Sequence, residues 1–195
     1  MFTPVIDNVM SIYSVATEEN IREGLAWYPD AHNFAKSLDV DIERAAGIIA
    51  ALSPMSGWEN NKNKAAQLYR QNGIVCVDGK KNGIGLSGNV TKAQEIYAGA
   101  KPLDVLKGNK VRAFYETIVC PESVDPLPVI DRHAFDIAVG QRTDDKSRAI
   151  LDRKGVYLEF ADCYRGAADV AGILPAQMQA ITWIKWREIH KLSSR

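Results

Sequence analysis

A mainly α fold is what this chain of 195 residues predicts. Apolar residues recur at helical spacing along most of its length, and prolines and glycines fall where helices would end. The regular alternation of short strands and helices that a parallel sheet requires is absent. The length suits one domain, or two small helical lobes sharing a cleft, with enough chain to bury a substantial core.

Taken in order, the elements have identifiable starts and stops. Met1 to Val15 lacks a basic opening and a small-residue cleavage site, so no signal peptide is expected there. Asp41 can cap a helix through Leu52, in which Ile42, Ala45, Ala46, Ile48, Ile49 and Leu52 leave few polar positions, as in a buried central helix. Ser53-Pro54 ends it, because a residue before proline avoids the helical region. A second helix is expected from about Trp58 to Tyr69. Gly73 to Gly88 is glycine-rich and contains the apolar run Ile74-Val75-Cys76-Val77, readable as a small hairpin or an irregular excursion. Helices are expected again at about Val90 to Ala98 and from Asn109 to Ile118.

Pro121, Pro126 and Pro128 mark a loop, after which a helix should begin near Asp131. Gly140 to Asp145 is turn-like. Tyr157, Phe160, Ala161, Tyr164 and Ala168 share one helical face. Pro175 has the place of a first-turn proline in a helix to about Lys191.

Composition narrows the class. No apolar run approaches the roughly 18 residues of a membrane span, so a cytoplasmic protein is expected. Cys76, Cys120 and Cys163 are odd in number and widely spaced, which argues for buried reduced thiols over disulfides or zinc. His32, His133 and His190 form no local metal-ligand spacing, and no nucleotide-binding glycine fingerprint occurs, so no metal or cofactor is expected. The net charge is zero, yet Glu59 to Arg112 carries an excess of +6, against −5 before it and −1 after it. Such a basic middle fits a phosphate-facing surface, or a solvated helical face.

Four stretches could carry chemistry. The turn Leu106-Lys107-Gly108-Asn109-Lys110-Val111-Arg112 opens a helix. Backbone N–H groups there can hold a phosphate, Gly108 allows close approach, and Lys107, Lys110 and Arg112 add charge. A plain helix–turn–helix connection fits the same residues. Asp131 follows about twenty residues later. It could be a helix N-cap alone, or a carboxylate that stabilises a cationic sugar or activates water. His133, two positions on, could assist it or be a hydrogen-bonded structural histidine.

At the corner Ser53-Pro54-Met55-Ser56-Gly57-Trp58, Met55 or Trp58 could wedge into a base stack, with Asn60 or Asn61 meeting base edges. Alternatively Met55 and Trp58 belong to the core and the asparagines cap a helix. Lastly, Gln179, Trp183 and Arg187 share one face of the final helix, as a polar reader beside an aromatic platform or as core packing.

The order of these stretches resembles the helix-hairpin-helix DNA glycosylase superfamily, of the endonuclease III type, over about residues 40 to 190. Ala51-Leu52-Ser53-Pro54-Met55 through Asn63-Lys64-Ala65 is similar to its Leu-Ser corner and Asn-Lys-Ala helix. Leu106 to Arg112 resembles its Leu-Pro-Gly-x-Gly-x-Lys hairpin, and Ile130-Asp131-Arg132-His133 its Val-Asp-Thr-His segment. Leu174-Pro175-Ala176 through Trp183 resembles its closing helix. The chain also resembles small phage-encoded members of this group, which share Leu-Ser-Pro (here Leu52-Ser53-Pro54), a downstream Trp, Asp-Arg-His (Asp131-Arg132-His133) and Gln-Ala-x-Thr-Trp (Gln179 to Trp183).

The resemblance implies a two-lobed helical fold whose hairpin, about residues 103–118, binds double-stranded DNA through Lys107, Gly108, Asn109, Lys110 and Arg112. It implies Asp131 as the catalytic residue of N-glycosidic cleavage of a damaged or modified base, in DNA repair or base excision. Met55, Trp58, Asn60, Asn61 and His133 would serve as pocket or wedge residues. The chain departs from the pattern in four places. Met55 stands where a glutamine is usual, and Lys110 replaces the second hairpin glycine. Arg112 takes the place of the lyase lysine, and a guanidinium that stays protonated is a poor Schiff-base nucleophile. The iron–sulfur cysteines are missing. A glycosylase without lyase activity is therefore expected, with base hypermodification of phage DNA, or DNA binding without chemistry, as the alternatives.

Overall fold

The computed structural model describes residues 2–75 and 84–192. Eleven α-helices, one 3-10 turn and no strand occur among these described residues. The fold is mainly α. The helices group into two compact units, one formed by the chain up to Pro29 and from Cys120 onward, the other by Asp30–Val119.

The first unit holds α1 (Ile6–Ser14), α2 (Glu18–Leu38) as far as Pro29, and α8 (Arg132–Val139), α9 (Asp145–Arg148), α10 (Val156–Ala171) and α11 (Pro175–Ile189). Thr17 and Asn20 cap α2 reciprocally, each side-chain oxygen accepting from the other's backbone N–H. Ile130, Phe135, Phe160, Tyr164 and Met178 build the core, with Phe135 stacked on Phe160 at 4.7 Å between ring centres. Val5 N–H and the Asn8 side-chain amide both donate to Ala138 O, tying α1 to α8. Gly24 brings α2 against α11, since a Cβ there would lie 2.7 Å from Ile181 Cα. Within α8, buried Asp136 accepts from Thr143 and from Arg148, whose Nη2 approaches Asp136 Oδ2 to 2.9 Å. That ion pair fastens the Gly140–Asp145 turn.

The second unit is arranged around α3 (Ile42–Leu52), which is buried from Ala45 to Leu52. The expected cap is present: Asp41 accepts from Arg44 N–H. The helices α4 (Trp58–Arg70), α5 (Ser87–Tyr97), α6 (Pro102–Val105) and α7 (Asn109–Val119) all pack on α3. His32 Nδ1 lies 2.8 Å from Ile118 O, joining the end of α2 to α7. Asp39 accepts from both Arg44 and Tyr69, so that the Arg44 guanidinium beside it lowers its carboxyl to about 2.

Three expectations need adjusting. Cys163 is buried, and burial raises its thiol to about 11, but Cys120 is exposed at the end of α7 rather than buried. Ile74 and Val75 lie in no strand, Ile74 is exposed, and Cys76 and Val77 fall outside the described residues. The helix expected to start near Val90 begins at Ser87.

Candidate active site

The segment before Asp131 is pinned by a tyrosine. Buried Tyr157, on α10, donates its hydroxyl to Pro128 O at 3.1 Å and accepts from Ile130 N–H at 3.0 Å. A loop that cannot form ladder hydrogen bonds is thereby satisfied from the core. Tyr164, two helical turns on, donates to Ala134 O in the first turn of α8. Asp131 is thus delivered in an extended conformation at the start of α8.

Its two carboxylate oxygens are used differently. Oδ1 accepts from the backbone N–H groups of His133 at 2.9 Å and Ala134 at 2.8 Å, which is an N-cap. Oδ2 accepts from Trp183 Nε1 at 2.9 Å, across a gap of 52 residues. Asp131 is therefore a cap and also a half-buried carboxylate fixed by a side chain of another helix.

The face of α11 formed by Gln179, Trp183 and Arg187 is the frame of this site. Buried Gln179 accepts from Tyr28 OH at 2.8 Å. The Arg187 guanidinium stacks over the Trp183 ring at 4.2 Å. His133, also buried, meets Trp183 edge to face at 6.2 Å, and its Nε2 accepts from Arg132 Nε at 3.3 Å. That acceptor role needs a neutral ring, and burial holds the imidazole below its usual 6.5, against the opposing pull of Asp131. Burial, followed by the Asp131 charge, pushes the Tyr28 phenol up, so it serves as a hydrogen-bond donor. The arrangement is a preoriented carboxylate flanked by a neutral histidine, an indole and two guanidiniums. It can stabilise a developing positive charge or accept a proton from water.

The hairpin residues belong to the other unit. Helix α6, the turn Leu106-Lys107-Gly108 and helix α7 follow one another, with Leu106 buried as the anchor. Gly108 has φ +84°, and no atom lies within 4 Å of where a Cβ would be. Its carbonyl accepts from Arg112 N–H, closing the first turn of α7. Lys107, Gly108, Asn109, Lys110 and Arg112 are all exposed, Lys107 reaching back to Asp104 O at 2.7 Å.

The corner residues separate. Met55, at φ 61°, is 94 % exposed at the tip between α3 and α4. Trp58 is half-buried edge to face against Phe34, with Lys62 Nζ 5.5 Å above its ring, so it packs within the unit. Asn60 is exposed and donates to Ser56 Oγ. Asn61 is 2 % exposed and donates to Ile49 O at 3.1 Å, which ties α4 to α3 and removes it from any surface. Among the described residues, no three His, Cys, Asp or Glu side chains come together as a metal site. Nor is any described helix long and apolar enough to cross a membrane.

Tyr28, Tyr157, Trp183 and Arg187 join Asp131 as residues that shape the site. Only the spacing of Gln179, Trp183 and Arg187 hinted at this in the sequence. The model of a family of unknown function, DUF7178, matches residues 2–190. Neither the curated proteins nor the solved structures contain a match to the chain.

Proposed function

The chain belongs to the family of unknown function DUF7178, and we propose that it is a DNA-acting enzyme that cleaves the N-glycosidic bond of a damaged or modified base. One observation carries this reading. Asp131 spends one oxygen on its own helix and presents the other to Trp183, which a simple cap would not require. As the base departs with the bonding electron pair, the sugar becomes cation-like, and the fixed carboxylate stabilises it while water is captured at the anomeric carbon. Asp131 then accepts the proton that the water loses.

The exposed turn at Gly108, with Lys107, Lys110 and Arg112, supports binding of double-stranded DNA by its phosphates. With arginine at 112, no Schiff base forms at that position, so strand nicking is not part of the reaction. The helix-hairpin-helix glycosylase likeness noted above belongs to this proposal, as does action on repair or phage DNA.

Duplex oligonucleotides carrying a panel of damaged and modified bases test it. Asp131→Asn keeps an acceptor for the cap and removes the charge, so base release should fall about 100-fold or more. No release from any substrate, or undiminished release by the variant, overturns the reading. A second reading, alteration of a base without its removal, is favoured by exposed, apolar Met55 at the corner where the similar glycosylases carry glutamine. Nucleoside mass spectrometry separates the two: abasic products support cleavage, whereas intact nucleosides of changed mass support alteration.

A further inference from the structure

We infer that the cleft lined by Arg44 and Tyr97 is a base-binding site that takes a guanine ring. It lies wholly within the second unit and has a volume of about 420 Å³, with Leu38, Asp39, Arg44, Tyr69 and Tyr97 as its walls. It shares no residue with the Asp131 site or the hairpin.

The hydrogen bonds decide which groups can meet a ligand. Asp39 Oδ2 accepts from Arg44 Nε at 2.6 Å and from Tyr69 OH at 3.0 Å. Its Oδ1 accepts from Arg44 Nη2 at 2.9 Å and from Asp41 N–H at 3.1 Å. Asp39 is thereby saturated, and the Tyr69 hydroxyl is spent on it. The two bonds from Arg44 occupy one edge of its guanidinium, Nε with Nη2, and fix its plane. The other edge, Nη1 with the second N–H of Nη2, meets no acceptor among the described residues, and 36 % of the side chain is exposed. The Tyr97 ring packs edge to face with Tyr69 at 5.4 Å. One cleft therefore combines an aromatic wall with a fixed pair of parallel donors.

Charge and geometry select the ligand. Asp39 cancels the charge of Arg44, and Asp41, which accepts the Arg44 backbone N–H, is a second acid beside them. These three groups offer no positive excess to a phosphate or carboxylate, so an uncharged pair of acceptors fits better. Two parallel N–H groups match two coplanar acceptors, which guanine presents at O6 and N7. Adenine places a donor beside N7, and uracil or thymine offers a single acceptor on that edge, so each leaves an Arg44 N–H unmet. Contact with the tyrosine rings adds affinity without choosing between bases. The guanine comes from a free nucleotide or from a nucleic-acid strand. The site goes beyond the cleavage reading and does not depend on it.

The test uses the full chain with carbon-13-labelled tyrosine, the Tyr97 ring resonances being assigned through Tyr97→Phe. GMP, AMP, UMP and inorganic phosphate are titrated separately at matched ionic strength, followed by the pentamers dTTGTT and dTTATT. A guanine probe should shift Tyr97 saturably and bind about tenfold or more tightly than its adenine counterpart. Inorganic phosphate should leave Tyr97 unmoved. Preference for dTTGTT over dTTATT assigns the site to a strand, and a response to GMP without that preference assigns it to the free nucleotide. Arg44→Lys keeps the charge but lacks the planar fork, so it should erase the preference for guanine. The inference is overturned if neither guanine probe gives a saturable shift, if the adenine probes bind as tightly, or if phosphate alone reproduces the shift. All three outcomes are read on the wild type, so they decide the matter even where the variant does not fold. A folded Arg44→Lys that keeps the guanine preference overturns it equally.

Discussion

Trp183 Nε1 donates to Asp131 Oδ2 at 2.9 Å, joining the start of α8 to the middle of α11. This contact and the N-cap are separable, because they use different oxygens of one carboxylate. Asp131→Ser should keep an acceptor for the cap and lose the reach to Trp183. Asp131→Ala should lose both, costing about 1 kcal/mol for the cap and roughly 1–3 kcal/mol for a stranded indole N–H. Urea denaturation should therefore rank the wild type above Ser and Ser above Ala. Equal losses for Ser and Ala would mean that the cap contributes nothing.

His133 predicts a pH dependence of stability. Burial holds its folded pKa below the unfolded value of 6.5, so the unfolded chain takes up a proton first as pH falls. Its contribution is complete above 6.5 and is lost on descending from there through the folded value. His133→Gln should flatten the stability profile in that window, measured by urea midpoints between about pH 7.5 and 5. An unchanged profile would assign the dependence to other groups.

Asp39 acts at a lower pH with the same kind of sign. Its carboxyl is lowered from 3.8 to about 2, chiefly by the Arg44 hydrogen bond. The stability it confers is full above 3.8 and is lost as pH falls toward about 2. Arg44→Gln should return the Asp39 titration toward the usual carboxylate range, as read by carbon-13 NMR. A titration unmoved by that variant would exclude Arg44 as the cause.

Gly24 tests the crossing of α2 and α11. A Cβ at this position would lie 2.7 Å from Ile181 Cα and 2.8 Å from Ile181 N, and backbone atoms cannot swing aside. Gly24→Ala should destabilise by about 1–3 kcal/mol through overpacking, despite alanine's better helix propensity. A gain in thermal midpoint would show that the helices separate easily.

The sequence reveals those features that local chemistry sets. Asp41 and Pro175 mark the starts of α3 and α11 because caps and first-turn prolines act within a few residues. The periodic face from Tyr157 to Ala168 is buried as its spacing requires. Contacts between distant segments are another matter. Asn61 has the composition of a surface reader, yet a buried carbonyl, Ile49 O, claims its amide. The Gln179–Trp183–Arg187 stripe is visible as a stripe, but its partner at Asp131 depends on how α8 and α11 pack. Helix α2 carries Pro29 in its interior, a residue that on its own would suggest a break.

The hairpin offers the last prediction, and its two components respond differently. Gly108 sits at φ +84° with open space around it, so Gly108→Ala meets backbone strain and no clash. The cost should be about 1 kcal/mol of stability, with a local loss of DNA affinity where the turn re-forms. Lys110 and Arg112 are exposed, so their glutamine variants should leave stability within about 0.5 kcal/mol. If they neutralise phosphates, each replacement should lower the slope of log affinity against log salt by about 1, uniformly across DNA sequences. Fluorescence anisotropy with a labelled duplex at several salt concentrations measures that slope. An unaltered slope in the double variant would remove the hairpin from the DNA interface, whatever Asp131 does.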